Sequence, residues 1–412
     1  MLPAKAREVI DLCRSLATCT EEPGFTTRTF LSLPMRDVHS RLSGWMQRIG
    51  MTVGVDAAGN LRGVYAGLTA SARHFLIGSH LDTVPHAGAF DGVLGVVMGI
   101  ALVDLLGGRR FPFSIEVVGF SEEEGVRYGV PFIGSRALVG TVDETLLGRS
   151  DAGGRTVRDA ILDYGLDPTL LDDAIVPATS VGYLEIHIEQ GPVLDALGLP
   201  LGIVETIAGQ TRGDVHFVGA ANHAGTTPMA GRNDALAGAA QWILEVEDVG
   251  RSTPGLVATV GKVAVNPGAS NAVPGDCLAT LDVRHGDDVV RRAAVERLLA
   301  RAKAIAQARG LYATGQMKLD QPATPMDGSL TRLLERAVER SGAFVHRMNS
   351  GAGHDAMIIA EHVPSAMLFV RSPGGVSHHP DEQVIETDVA AALGAGLELF
   401  EDVATSRSWS TS

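Results

Sequence analysis

The chain predicts an α/β protein: a catalytic domain with a mostly parallel central sheet flanked by helices, interrupted by an inserted α+β unit. Three observations lead there. Short apolar runs at 74–78 and 114–120 read as strands buried on both faces, as parallel sheets require. Residues 93–106 between them suit a buried helix, which makes a strand–helix–strand order. From residue 211 the order becomes β-α-β-β-α-β, a compact unit of its own, before the α/β pattern resumes near residue 325.

Taken in order, residues 4–17 and 34–49 carry helical apolar spacing, the second with Ser32 at its N-cap, Pro34 in the first turn and Gly50 at its end. Segments 52–55 and 61–65 flank Gly59-Asn60, a hairpin turn. In 183–189 the alternation sets Leu184, Ile186 and Ile188 on one face and Glu185, His187 and Glu189 on the other, so this strand can deliver an imidazole into a cleft. Within the insertion, strands are expected at 211–218, 256–265, 277–284 and 311–319, with helices at 234–247 and 287–309. Helices at 328–341 and 388–402 and a strand at 365–370 complete the outer domain. The expected organisation is residues 1–209 and 322–412 as the catalytic domain, with residues 210–321 inserted as a lid and dimerisation domain.

At 412 residues two domains are the natural expectation. The 34 basic against 48 acidic residues leave a net charge of −14, which argues against a nucleic-acid or acidic-membrane partner. The odd number of cysteines, Cys13, Cys19 and Cys277, without a C-x-x-C pair, fits a reducing cytoplasm. Lys5, Arg7, Glu8 and Asp11 sit in an amphipathic N-terminal pattern unlike a signal peptide, and the longest apolar stretch, 92–106, is interrupted by Asp104 and too short to span a bilayer. A soluble cytoplasmic protein is expected.

The chemistry gathers at strand ends, where open α/β sheets hold their ligands. Gly78-Ser79-His80-Leu81-Asp82-Thr83 closes the first apolar strand; one residue apart in extended chain, His80 and Asp82 point the same way, as a ligand and the group that orients it. Asp91 follows a small-residue loop and opens a helix, so alone it reads as an N-cap, and beside His80 as a bridging carboxylate. Glu122, Glu123 and Glu124 follow the next strand; one acid can ligate while its neighbour acts as general base. Ser377-His378-His379-Pro380 offers two imidazoles, between which chemistry alone does not choose. Imidazoles and carboxylates so placed suit two divalent cations, and a pair sharing one carboxylate can activate water through a bridging hydroxide. The chain reads as a hydrolase. No G-x-S-x-G elbow, P-loop or dinucleotide fingerprint offers another chemistry.

In order along the chain, GSHLDTV (78–84), FDG (90–92), SEEEG (121–125), HIEQGP (187–192), NHAGTTPM (222–229), SNAVPG (270–275), LDVRH (281–285), SGAGHDA (350–356) and GVSHHPDE (375–382) make it resemble the amidase/hydantoinase/carbamoylase branch of the bimetal aminopeptidase–aminoacylase superfamily. The resemblance implies ligands at His80, Asp91, Glu124, His187 and His378: Asp91 bridging, His80 and His187 on one metal, Glu124 and His378 on the other. It implies Glu123 as general base and substrate contacts at Gln190, Arg212, His223, Asn271 and Arg284, the last four in the insertion. Of these, His223 suits an oxyanion donor, and Arg284, with Asn271 beside it, suits a clamp on the substrate carboxylate. The implied cofactors are two divalent ions per subunit, Zn²⁺ or Mn²⁺, with Co²⁺ or Ni²⁺ also suited to such ligands. The implied assembly is a homodimer. The implied reaction is hydrolysis of an N-carbamoyl-L-amino acid, with allantoate, β-ureidopropionate and acylamino-acid or peptide substrates as alternatives.

Overall fold

The computed structural model describes residues 1–69, 72–177 and 179–406. It divides into two units: Met1–Glu205 with Met326–Met348 and Ala352–Ser412, and Thr206–Pro325 with Asn349–Gly351. Among the described residues no helix is long and apolar enough to cross a membrane.

The first unit is α/β, as its apolar runs predict. β1 (Thr52–Val55) and β2 (Leu61–Tyr65) form the hairpin, with Gly59 in the turn at φ 83°. β3 (His74–His80), β4 (Ser114–Phe120) and β5 (Gly182–Ile188) follow, and β3 runs parallel to both β4 and β5. The strand Ser365–Val370 extends the parallel set beside β5. These central strands are buried almost throughout, which explains why they read as continuous apolar runs rather than alternating ones. The helix Val93–Leu105 packs behind them, its Val93–Val103 stretch wholly buried.

Several strands were not anticipated. β6 (Leu201–Ile207) pairs antiparallel with Ser365–Val370, setting Val204 opposite Met367. Gly202 interrupts its apolar pattern and hides it from a periodicity reading.

In the second unit, β7 (Gly209–Val218), β8 (Asn222–His223), β9 (Val257–Thr259), β10 (Val263–Asn266), β11 (Ala272–Val273), β12 (Asp276–His285) and β13 (Tyr312–Gln321) alternate with the helices Ala235–Ser252 and Asp288–Ala308. The main sheet is antiparallel, and β8 and β11 form a separate small pair. The single strand expected at 256–265 is broken in two. Thr259 faces Asp282 and Val263 faces Ala279, so residues 260–262 oppose only 280–281. That extra residue is a β-bulge, held where the Thr280 hydroxyl accepts the Lys262 N–H at 3.0 Å. Along β7 and β12, Val215, Phe217, Ala279, Leu281 and Val283 pack into one buried cluster with Trp242 and Leu298 from the helices, while Arg212, Asp282 and Arg284 alternate onto the opposite face.

Candidate active site

Because β3, β4 and β5 run parallel and in register, their carboxyl ends lie side by side. His80 is opposite Phe120, so Ser121 to Glu124 continue from the neighbouring strand end. His187 lies near the end of β5, opposite Phe369. Asp91 does not cap the helix that follows: Gly92 occupies the N-cap position without any side-chain capping bond, leaving the carboxylate free for another task. Gly92 itself has φ 65°, and a Cβ there would stand 2.5 Å from His80 ring atoms, so the imidazole rests against bare backbone.

The side chains form two groups around one acid. His80, Asp91 and His187 lie close enough to hold an ion, as do Asp91, Glu124 and His378, and a third possible set is His80, Glu123 and Glu124. Asp91 Oδ1 faces the first group, 3.4 Å from His187 Nε2 and 3.9 Å from His80 Nε2. Its Oδ2 faces the second, 3.1 Å from His378 Nε2, and that nitrogen lies 3.6 Å from Glu124 Oε1.

Proton positions explain why this arrangement fits a cation. His80 Nδ1 lies 3.0 Å from the Asp82 backbone carbonyl, and His187 Nδ1 lies 2.9 Å from the Ile188 carbonyl. A carbonyl can only accept, so each Nδ1 carries the proton. The two Nε2 atoms then lie 3.4 Å apart, next to a carboxylate oxygen. Burial pulls the His187 imidazole down to about 4, which keeps it neutral. At His80 burial opposes charge, yet Asp82, Glu123 and Asp91 hold its imidazole well above the usual range, so the pocket favours the positive charge that a bound cation would bring.

Asp82 orients His80 chiefly through its backbone, since its Oδ1 is 3.5 Å from Nδ1 and thus more distant than its own carbonyl. The Asp82 carboxylate instead accepts the Glu123 N–H at 2.9 Å and the Glu124 N–H at 3.1 Å, fixing both acids. Glu123 is 8 % exposed; burial pushes its carboxyl well above the usual range, opposed by His80 and reinforced by Glu124, Asp355 and Asp82. Burial likewise raises Glu124 to about 7. Gln190, at φ 58°, donates Nε2–H to Asp91 Oδ1 at 3.0 Å and Oδ2 at 3.2 Å, while its buried Oε1 has no partner among the described residues.

The remaining sequence candidates belong to the second unit. His223 and Asn271 meet at the small sheet, where His223 pairs with Ala272 and the Asn271 carbonyl accepts the Ala224 N–H at 2.8 Å. His223 Nδ1 accepts N–H groups from Gly225 at 3.0 Å and Thr226 at 3.2 Å, so its proton sits on the exposed Nε2. Arg212 and Arg284 both grip Asp282, with closest contacts of 2.8 and 2.9 Å, and with Lys318 they line a cavity of about 560 Å³. Two guanidiniums against one carboxylate leave that cavity with positive charge to spare.

Sequence reasoning gave no role to Arg28, Glu382 or His354. Arg28 is wholly buried and donates Nε–H to the Leu81 carbonyl at 2.7 Å, between His80 and Asp82. The ring of His354, from the SGAGHDA segment, stands 4.5 Å from His187. Each lies far from its contact in sequence, so no local spacing could have signalled it.

Comparison with known proteins adds a family. A model described as Peptidase family M20/M25/M40 matches residues 76–405. A probable allantoate deiminase of Oryza sativa subsp. japonica is 38% identical over 431 residues, covering 96% of this chain and 88% of its own. An N-carbamoyl-L-amino acid amidohydrolase of Geobacillus stearothermophilus is 38% identical over 370 residues, covering 89% and 90%. Among solved structures, a hydantoinase/carbamoylase family amidase from Burkholderia ambifaria superposes with a TM-score of 0.90 at 35% identity, covering 97% of both chains.

Proposed function

The chain belongs to peptidase family M20/M25/M40, and within it we propose a metal-dependent amidohydrolase that cleaves the ureido C–N bond of an N-carbamoyl-L-amino acid to the amino acid, CO₂ and ammonia. The carrying observation is Asp91, whose two oxygens are each directed at a separate group of possible ion ligands. The Geobacillus relative supports this substrate class. Allantoate is the second reading, favoured by the rice relative's match over 96% of this chain.

We assign His80 and His187 to one divalent ion, Glu124 and His378 to the other, and Asp91 to both. When bound, such a pair supplies Lewis-acid polarisation and lowers the pKa of water; Zn²⁺ or Mn²⁺ suits the ligands, and Co²⁺ or Ni²⁺ would be accepted. Glu123 takes the proton of the attacking water and returns it to the departing nitrogen. Burial raises its carboxyl above the usual range, the direction that a base which later returns its proton needs. Gln190 keeps Asp91 aligned and offers its unpartnered Oε1 to a substrate N–H. His223 donates Nε2–H to the carbonyl oxygen as negative charge develops there.

Arg284, with Asn271 and Arg212, receives the substrate carboxylate. Replacing Arg284 with alanine is expected to lower kcat/KM by about 10–100-fold, the worth of a charged hydrogen bond, with metal content unchanged. Unchanged kinetics on a carboxylate substrate would reject the assignment. A homodimer formed through the second unit is supported by its split edge, where Val257 and Val263 are exposed. A cytoplasmic setting accords with the free, buried state of Cys13, Cys19 and Cys277.

The reading is tested by assaying metal-reconstituted protein on N-carbamoyl-L-amino acids, allantoate, β-ureidopropionate, N-acetyl amino acids and dipeptides, each with and without chelator. Chelator-sensitive turnover is expected on the carbamoyl series above all others. Preference for allantoate selects the second reading, and turnover of acetyl or peptide substrates alone overturns both.

A further inference from the structure

Among the described residues Glu382 lies outside every group of possible ion ligands, yet it touches the segments that carry Asp91 and His378. It is 4 % exposed. Its Oε1 accepts two backbone N–H groups, from Phe90 at 2.7 Å and Asp91 at 2.9 Å. Its Oε2 stands 3.5 Å from Ser377 Oγ, which lies 3.4 Å from Asp91 Oδ2. Its own N–H donates to the His379 carbonyl at 3.0 Å, closing the turn that directly follows His378. Gly88 completes the seat, since a Cβ there would come within 2.3 Å of Glu382 Cβ.

These contacts have a directional consequence. The Asp91 N–H is buried, and turning its peptide would swing the carboxylate away from one or both imidazole groups. A single oxygen holding two successive N–H groups prevents that turn. The same side chain anchors the loop of His378, which has φ 55° and a side chain that is 48% exposed, unlike the enclosed His80 and His187.

We propose that Glu382 is a positioning residue that locks the Asp91 peptide to the His378 turn and thereby sets the geometry of the Asp91–Glu124–His378 ion site. This rests on the two-ion reading above.

The experiment titrates Mn²⁺ into metal-free full-length protein, with stoichiometry and affinity read by calorimetry and folding by circular dichroism and thermal midpoint. Glu382→Ala is expected to bind the weaker of two Mn²⁺ ions about 10–100-fold less tightly, as when a group supporting a ligand is removed. Glu382→Gln should remain within about threefold of the parent, because its amide oxygen can still accept both N–H groups. Gly88→Ala, which retains Glu382 but displaces it, should reproduce the Glu382→Ala weakening and provides the test should Glu382→Ala fail to fold. Unaltered affinity in Glu382→Ala, unaltered affinity in Gly88→Ala, or equal weakening in Glu382→Gln and Glu382→Ala would each overturn the inference while leaving the two-ion reading intact. A parent protein that takes up no Mn²⁺ would overturn both.

Discussion

Glu123→Gln is expected to lower kcat by about 10²–10⁴-fold while the protein still takes up both metal ions. The amide has the shape of the acid and can occupy its place, because the Glu123 backbone is held by Asp82 Oδ1 at 2.9 Å whatever the side chain carries. What it cannot do is accept a proton. Metal content matters as much as the rate, since Glu123 also belongs to a possible ion set with His80 and Glu124. A true ligand exchanged for an amide would lose affinity; a base would lose only turnover. Elemental analysis alongside kinetics on a ureido substrate separates the two. Loss of metal, or a kcat within tenfold of the parent, would remove Glu123 from the role of base.

The second large effect belongs to His223→Ala, for which kcat should fall about 10²–10³-fold, the usual consequence of deleting one oxyanion donor. With Gly225 and Thr226 donating to Nδ1, the neutral ring must present N–H at Nε2, so it can give a hydrogen bond but not withdraw one. The residue is exposed, and its truncation should leave the thermal midpoint within a degree or two, on the order of what surface changes bring. Steady-state kinetics over a full substrate range would check it; a fall below threefold would dismiss the assignment.

Much of this architecture could be read from residue order, and the reasons are specific. Buried parallel strands such as β3 and β4 are written as apolar runs, and the groups just beyond them, His80 and Glu122 to Glu124, fall at the functional edge of the sheet by rule. Other facts are three-dimensional. Chemistry alone left His378 and His379 equal; in the fold His378 Nε2 lies 3.1 Å from Asp91, whereas His379 Nδ1 accepts the Asp381 N–H within its own exposed turn. The dominance of the Asp82 carbonyl over its carboxylate at His80 depends on a few tenths of an ångström. Glu382 reaches Asp91 across 291 residues, and no periodicity encodes such a meeting. β6 and the bulge before Lys262 escaped because a glycine blurs an apolar pattern, and register is a property of two strands rather than one.

The contact between Gly92 and the His80 ring has an implication for engineering. The ring is seated by the absence of a methyl group, so a mutational library at position 92 should contain no functional side chain, however small. Anyone redesigning this protein would do better to leave that floor untouched.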